Sequence, residues 1–238
     1  MLLFDFDGVL VNSLNEIALS AYNYATGESV YEIEGLPSGY LERYRSNRHL
    51  LLSPARLGEL AKHCLNSDRV LGREEIISTL PTDRKTLASL GDQFFDARHR
   101  FIEESPDLLL KANPPFETLW NAARRLSAEQ FANHTNKNQI AVELICKHYG
   151  LTTKSVYSGE GGRTKAENIL LLDEKYHADQ YIFLDDAIEN LFALTPVLPG
   201  RIKPVLASWG YCSAEDQQEA KDNNFDVMDE SQFVTRFF

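Results

Sequence analysis

The first eight residues constrain the fold of this chain more than any other segment. An apolar run, Leu2-Leu3-Phe4, is followed directly by Asp5-Phe6-Asp7-Gly8, a pattern typical of a short strand buried on both faces of a parallel sheet. Side chains two residues apart on a strand point to the same side, so Asp5 and Asp7 lie together. Neighbouring carboxylates repel unless a cation or a proton lies between them, so the pair indicates a divalent metal and an aspartyl nucleophile. The alternative interpretation is a strand end whose acids cap a turn.

A long, mostly helical segment is predicted after this strand. Apolar residues recur at spacings of three and four from Leu14 to Ala25, and Gly27 ends that helix. Ser53 and Pro54 are residue types expected at the N-cap and first position of another helix. Further helices are predicted from Leu87 to Ile102 and, more briefly, around Ile76, Ile77 and Leu80.

Strands and helices alternate after the consecutive prolines Pro114 and Pro115, which mark a boundary. Strands are predicted at 130–133, 155–157, 181–184 and 204–207, and helices at 119–126, 140–149, 165–172 and 188–194. Such alternation is typical of a parallel sheet with helices on both faces. We therefore expect an α/β fold with a doubly wound, Rossmann-like parallel-sheet core at 1–14 and 112–238. A mostly helical cap at 15–111 is inserted after the first strand.

The composition indicates a globular protein of the cytoplasm. The formal net charge of −11 over 238 residues disfavours nucleic acid and anionic membranes as partners, because both repel an acidic surface. The three cysteines form no CxxC pair, so they indicate neither a zinc site nor a disulfide framework. The first residues do not have the pattern of a signal peptide, and no apolar run approaches membrane-spanning length. The composition leaves the oligomeric state open.

Polar or charged residues also follow three later strands, at the sheet edge where ligands of doubly wound folds bind. Thr135 has a hydroxyl that can donate a hydrogen bond to a phosphoryl oxygen, although it can equally be an N-cap. Lys165 begins a helix after a glycine-rich loop, and the alternatives are a solvated surface lysine or Arg163 in its place. Asp185 and Asp186 follow a strongly apolar strand, where two acids are costly without a cation.

The stretch from Asp5 to Ser13 resembles the first motif of the haloacid dehalogenase-like superfamily. The resemblance continues in chain order, because Thr135-Asn136-Lys137, Lys165 and Asp185-Asp186 are similar to the second, third and fourth motifs. The tail that begins at Ser208 is similar to that of phosphoglycolate-phosphatase-like members. The resemblance covers the predicted core, and the predicted cap lies where the family's type 1 cap is inserted.

The resemblance implies a role for each matching residue. Asp5 corresponds to the nucleophile and Asp7 to the general acid and base. Thr135 and Lys165 correspond to the groups that bind the phosphoryl oxygens. The substrate-binding set implied in this way is Gly8, Thr135, Asn136 and Lys165.

The resemblance also implies magnesium as the cofactor. The expected ligands are Asp5, the backbone carbonyl of Asp7 and Asp186, with Asp185 assisting in the same shell. Adjacent side chains of an extended strand point to opposite sides, so Asp185 and Asp186 are not expected to be equivalent ligands, and Asp186 is preferred.

The implied function is a magnesium-dependent phosphatase that hydrolyses a small phosphorylated metabolite through an aspartyl-phosphate intermediate. A phosphomutase on the same scaffold and a non-catalytic binding protein that retains the fold are the alternatives. A dehalogenase is less favoured, because that branch lacks an acid/base of the Asp7 type. Arg43, Arg45 and Arg48 of the predicted cap either bind an anionic part of the substrate or form a solvated helix face.

Overall fold

The computed structural model describes residues 1–50, 53–72, 74–75, 78, 80–153, 155–160 and 163–238. The short helix predicted around Ile76 and Ile77 lies outside the described residues, as do Gly161 and Gly162 of the loop before Lys165. The chain divides into two compact units. We call residues 1–12 with 114–238 the core unit, and residues 13–113 the helical unit. The sequence had predicted this division after residues 14 and 111.

The helical unit contains the helices α1 to α5 and two short 3₁₀ helices, Ile33–Gly35 and Arg48–Leu50. The α-helices are α1 (Leu14–Thr26), α2 (Tyr40–Asn47), α3 (Pro54–Asn66), α4 (Arg84–Glu104) and α5 (Pro106–Lys111). Gly27 ends α1 in the left-handed conformation, and the Ser53 hydroxyl caps α3 by accepting the Arg56 N–H. A buried ion pair joins α1 to α4, with 2.8 Å between Nε of Arg98 and Oε1 of Glu16.

The core unit is built around a six-stranded parallel sheet with the order β3-β2-β1-β4-β5-β6. The strands are β1 (Leu2–Phe4), β2 (Phe131–His134), β3 (Val156–Tyr157), β4 (Tyr181–Asp185), β5 (Ile202–Ala207) and β6 (Asp226–Met228). The chain adds strands on one side of β1 up to β3 and on the other side from β4 onwards. This is the doubly wound arrangement that was predicted, and the crevice where the direction reverses lies between β1 and β4.

Helices cover both faces of the sheet, because crossovers that run in opposite directions lie on opposite faces. They are α6 (Glu117–Ala123), α7 (Gln139–Tyr149), α8 (Lys165–Tyr176), α9 (Ile188–Leu194), α10 (Ala214–Asp222) and α11 (Glu230–Phe237). Leu3 of β1 belongs to a buried cluster that includes Ile169 of α8 and Leu191 of α9. Its neighbour Phe4 instead contacts the ring of Phe233 in α11. Alternate residues of β1 are thus buried on opposite faces, as its apolar sequence predicts.

The sequence predicts no strand after the one at 204–207, and this is wrong. The strand β6 and the helices α10 and α11 follow it. The strand β6 has three residues and begins with Asp226, and it lies at the edge of the sheet. An edge strand this short has too few apolar residues to show a strand period. Among the described residues, no helix combines the length and the apolar character needed to cross a membrane.

Candidate active site

The residues predicted from the motifs meet at the carboxyl ends of the central strands. Asp5 directly follows β1, and its N–H donates to the Leu184 carbonyl of β4 at 2.9 Å. Asp185 ends β4 and Asp186 follows it. The pairing of Phe4 with both Asn133 and Leu184 therefore brings the loops after three neighbouring strands together.

Lys165 links two carboxylates at the carboxyl ends of two strands, that of Asp5 after β1 and that of Asp185 at the end of β4. Its Nζ lies 3.1 Å from Oδ1 of Asp5 and 2.5 Å from Oδ2 of Asp185. Lys165 is the first residue of α8, where a capping box formed by Thr164 and Glu167 fixes the start of the helix. The lysine is buried, so its alternative as a solvated surface residue is wrong. Arg163, the second choice from the sequence, is exposed.

His134, at the end of β2, contacts the backbone of the same lysine. Its Nε2 lies 2.9 Å from the Lys165 carbonyl oxygen, so the neutral ring donates its proton there. Burial, together with the nearby Lys165 ammonium, lowers the pKa of His134 to about 3. The histidine is therefore uncharged at neutral pH, and it holds the backbone of Lys165.

Asp185 and Asp186 lie in different environments, as the strand geometry predicts. Both oxygens of Asp185 are hydrogen-bonded within the core unit, to Lys165, to the amide of Asn190 and to the N–H of Ala187. The Oδ2 atom of Asp186 instead accepts the N–H of Tyr211 at 2.7 Å. Asp185 therefore orients Lys165, while Asp186 is held by the loop after β5.

The Asp186 side chain fits in its position because Gly8 and Gly210 have no side chains there. Gly8 has a φ of +83°, and a Cβ there would lie 2.1 Å from Oδ2 of Asp186. A Cβ at Gly210 would lie 2.3 Å from the Asp186 Cβ and 2.6 Å from the Gly8 carbonyl oxygen. Gly8 was predicted to bind substrate. The close approach of its loop to the loops that contain Asp186 and Gly210 is a second reason why glycine is needed at this position.

Asp7 is paired with Lys137, a residue of the second motif to which the resemblance assigns no role. The Nζ atom of Lys137 lies 2.9 Å from Oδ1 of Asp7, and the lysine side chain is completely buried. Its position two residues after Thr135 was the signal available in the sequence. The contact depends on how the loops after β1 and β2 lie side by side, which one chain segment alone does not show.

Thr135 and Asn136 lie at the start of the loop after β2. The Thr135 side chain is buried, and its Oγ1 accepts the N–H of Lys137 at 3.1 Å. The N-cap of α7 is Asn138, so the alternative role of Thr135 as the cap is wrong. Asn136 packs against Gly159, where a Cβ would come within 3.2 Å of its Oδ1.

Burial controls the charge of the predicted nucleophile. It raises the pKa of Asp5 from 3.8 to about 6, although the Lys165 ammonium acts in the opposite direction and the nearby carboxylates add to the rise. Burial alone would lower the pKa of Lys165, but Asp185 and Asp5 raise it overall. The lysine therefore stays charged, and the Asp5 carboxylate is its partner above about pH 6.

A divalent cation fits these carboxylates. One oxygen each of Asp5, Asp185 and Asp186 can be chosen so that all three lie within 4.8 Å of one another, and all three residues are buried. Within the described part of the chain, the buried Oδ1 of Asp5 accepts no hydrogen bond of good geometry, although the Lys165 ammonium lies 3.1 Å from it. The Asp7 carboxylate is not part of this cluster. Carboxylate oxygens in this arrangement suit a hard cation such as magnesium.

Arg43 and Arg45 of the helical unit form ion pairs and hydrogen bonds within that unit. The Arg43 guanidinium donates to the Cys64 carbonyl at 2.7 Å and lies 3.0 Å from Asp68. Arg45 is paired with Glu42 on the exposed face of α2. Burial raises the pKa of Tyr44, and the neighbouring Arg48 opposes that rise. The contacts of Arg43 and Arg45 favour a structural role over substrate binding.

Solved structures of similar fold cover nearly the whole chain. A predicted phosphatase from Clostridium acetobutylicum is 15% identical, with a TM-score of 0.65 and coverage of 99% of this chain and 96% of its own. A predicted phosphoglycolate phosphatase from Haemophilus somnus is 17% identical, with a TM-score of 0.65 and coverage of 100% and 97%. A haloacid dehalogenase-like protein of unknown function from Agrobacterium tumefaciens is 15% identical, with a TM-score of 0.55 and coverage of 99% and 95%.

Similar structures also include L-2-haloacid dehalogenases. No protein-family model matches the chain, and no curated protein matches it. At these identities the similarity shows the fold. The resemblance predicted from the sequence is confirmed at this level, and the chain has the fold of the haloacid dehalogenase-like proteins.

Proposed function

We propose that this protein is a magnesium-dependent phosphatase that acts through an aspartyl-phosphate on Asp5. The observation that carries the proposal is the separation of the two aspartates of the first loop. Asp5 is buried beside Lys165 and the acidic cluster, whereas Asp7 is paired with Lys137. A carboxylate inside the acidic cluster can attack phosphorus beside a bound cation, whereas a carboxylate outside that cluster can transfer a proton, so the different partners of the two aspartates suit these two roles.

The reaction has two steps. In the first, the Asp5 carboxylate attacks phosphorus, the bond to the leaving oxygen breaks, and the Asp7 carboxyl gives its proton to that oxygen. In the second, the Asp7 carboxylate takes a proton from water, whose oxygen attacks phosphorus and releases the Asp5 carboxylate. Lys165 and the Thr135 hydroxyl stabilise the phosphoryl oxygens throughout.

The proposed magnesium ligands are Asp5, Asp186 and the backbone carbonyl of Asp7. Asp185, whose oxygens both accept hydrogen bonds, keeps Lys165 beside them. When bound, the ion neutralises charge on the phosphoryl group. The hydrogen bond from Tyr211 to Oδ2 of Asp186 fixes the orientation of that carboxylate towards the cluster.

The proposed substrate is a small phosphorylated metabolite in the cytoplasm. The net charge of −11 disfavours a nucleic-acid backbone as the source of the phosphate. It is compatible with a small phosphate ester, because a bound divalent cation together with Lys137 and Lys165 would offset the four carboxylates of the site locally.

Two other reactions on this scaffold yield different products. A haloacid dehalogenase releases halide, which leaves without a proton, so it requires no acid at the Asp7 position. A phosphomutase returns the phosphoryl group to a hydroxyl of its substrate instead of water. The presence of a carboxyl group at Asp7, held by Lys137, favours phosphoryl transfer, and release of inorganic phosphate distinguishes the phosphatase from the mutase.

The test is a panel of phosphorylated metabolites, assayed for inorganic phosphate with and without magnesium. We expect magnesium-dependent release that Asp5→Asn lowers by at least ~10³-fold, because an amide is a poor nucleophile of similar shape. The matched control is Asp222→Asn at an exposed position of α10. Release of halide from 2-haloacids without phosphate release would show the dehalogenase. Absence of both activities together with absence of magnesium binding would support the non-catalytic binding protein.

A further inference from the structure

Lys137 is a completely buried cation that the two reaction steps above do not use. Its side chain has 0% exposure, whereas that of its partner Asp7 has 13%. A buried ammonium is costly unless it is paired, so the lysine and the aspartate form one unit. Because the lysine is inaccessible, its effect on a bound substrate passes through Asp7.

The backbone after β2 brings Lys137 to this position. Thr135 accepts the N–H of Lys137 in a tight turn, and the pairing of Phe4 with Asn133 sets this turn beside the loop after β1. The start of α7 is hydrogen-bonded from elsewhere, because the Gln139 N–H donates to a Glu160 carboxylate oxygen at 2.7 Å. The turn is therefore fixed at both ends.

We propose that Lys137 is the positioning residue of the proton-transferring carboxylate. This inference rests on the proposed phosphatase function. The terminal torsion of an aspartate is broad, so an unrestrained carboxylate samples many orientations. The ammonium holds Oδ1, and the transferred proton is then carried at Oδ2, which gives it to the leaving oxygen and later receives one from water. Proton transfer requires this oxygen within hydrogen-bond distance of its partner.

Lys137→Met tests the proposal with two substrates that differ in leaving group. An alkyl phosphate needs a proton on its leaving oxygen, whereas dinitrophenyl phosphate does not. We expect kcat/KM to fall by ~10²-fold for the alkyl ester and by less than ~3-fold for the dinitrophenyl ester. The variant also gives a burst of dinitrophenolate before a slower steady state, since water activation in the second step still needs Asp7.

The ratio of the two kcat/KM values does not depend on how much of the variant is folded. Lys147→Met, at an exposed position of α7, is the matched control and leaves the ratio unchanged. Asp7→Asn gives the same leaving-group dependence, and Lys137→Met adds little to it in the double variant, because both act through one carboxylate.

Equal losses for both esters, or losses that multiply in the double variant, overturn the proposal. If the wild type releases phosphate and Lys137→Met shows such equal losses, the phosphatase function stands and the positioning role fails. If the wild type hydrolyses neither ester, the proposed function itself fails.

Discussion

Asp5 lies in an environment that disfavours its ionised form. Burial raises its pKa to about 6 despite the adjacent Lys165. A carboxylate with a raised pKa costs stability when it ionises in the folded protein, and residues retained for function commonly have such a cost. The cost is greatest when no cation is bound to the cluster.

We predict that Asp5→Asn stabilises the protein at pH 8 in the presence of a chelator. The folded state binds the Asp5 proton more tightly than the unfolded chain does. Stability is therefore lost as the pH rises from about 4 through 6, by about 3 kcal/mol at 1.4 kcal/mol per pKa unit. Urea unfolding at pH 8 and at pH 3.5 measures the effect, which disappears at the lower pH.

Asp222→Asn supplies the control for the same substitution at an exposed position. If Asp5→Asn is no more stable than the wild type at pH 8, burial does not dominate the charge of Asp5.

The site residues that could be predicted from the sequence lie at the ends of predicted strands or at the start of predicted helices. Asp5, Lys165 and Asp186 each follow a strand or begin a helix, so their motifs are visible along the chain. The contacts of Lys137 with Asp7 and of His134 with Lys165 were not predicted, because they join separate segments. Such contacts follow from the strand order and register, which hydrophobic periodicity does not determine.

The loop between β1 and α1 shows how one element depends on another. Gly8 combines a positive φ with a close approach to Asp186. Gly200 has a similar φ of +75°, but a Cβ there would have no atom within 4 Å. Substitution at Gly200 therefore measures the cost of the backbone conformation alone, whereas substitution at Gly8 measures that cost together with the cost of the clash.

We predict that Gly8→Ala is more damaging than Gly200→Ala. The substitution at Gly200 costs about 1–2 kcal/mol for an L-residue in the left-handed region, and it leaves turnover unchanged. The substitution at Gly8 adds about 1–3 kcal/mol of overpacking and displaces Asp186, so turnover falls as well. Thermal unfolding and phosphatase assays of both variants measure the difference, and equal behaviour would contradict the close packing of these loops.

Elements with strong periodicity or clear caps are predicted well. The helix α9 was predicted with its observed bounds, and Gly150 ends α7 as expected. The helix α8 extends four residues beyond its predicted end at 172, because exposed charged residues there carry no apolar period. The strand β6 is stabilised by pairing with β5, a contact between segments that are separated in the chain.

The charge balance of the whole site favours a bound divalent cation. The site contains four carboxyl groups and two ammonium groups, those of Asp5, Asp7, Asp185, Asp186, Lys137 and Lys165. When all six are ionised, two negative charges are in excess. A bound divalent cation would balance them, and it would stabilise the folded state over an unfolded chain that lacks the cluster.

We predict that magnesium raises the melting temperature of the protein. At a concentration 100 times its Kd, the ion adds about 2.7 kcal/mol, which corresponds to roughly 5–10 °C for a chain of this size. Asp186→Asn removes most of the shift, whereas Asp222→Asn keeps it. The same shift in Asp186→Asn as in the wild type would place the ion elsewhere.

The covalent intermediate on Asp5 is the central claim, and acid-quench labelling tests it most directly. Asp7→Asn is mixed with dinitrophenyl phosphate carrying a radioactive phosphoryl group, because this substrate leaves without a proton while hydrolysis of the intermediate is slow. The account predicts acid-stable, hydroxylamine-sensitive label that approaches one phosphoryl group per chain and lies in the peptide containing Asp5. Release of dinitrophenolate in a burst with no label in that peptide would contradict it.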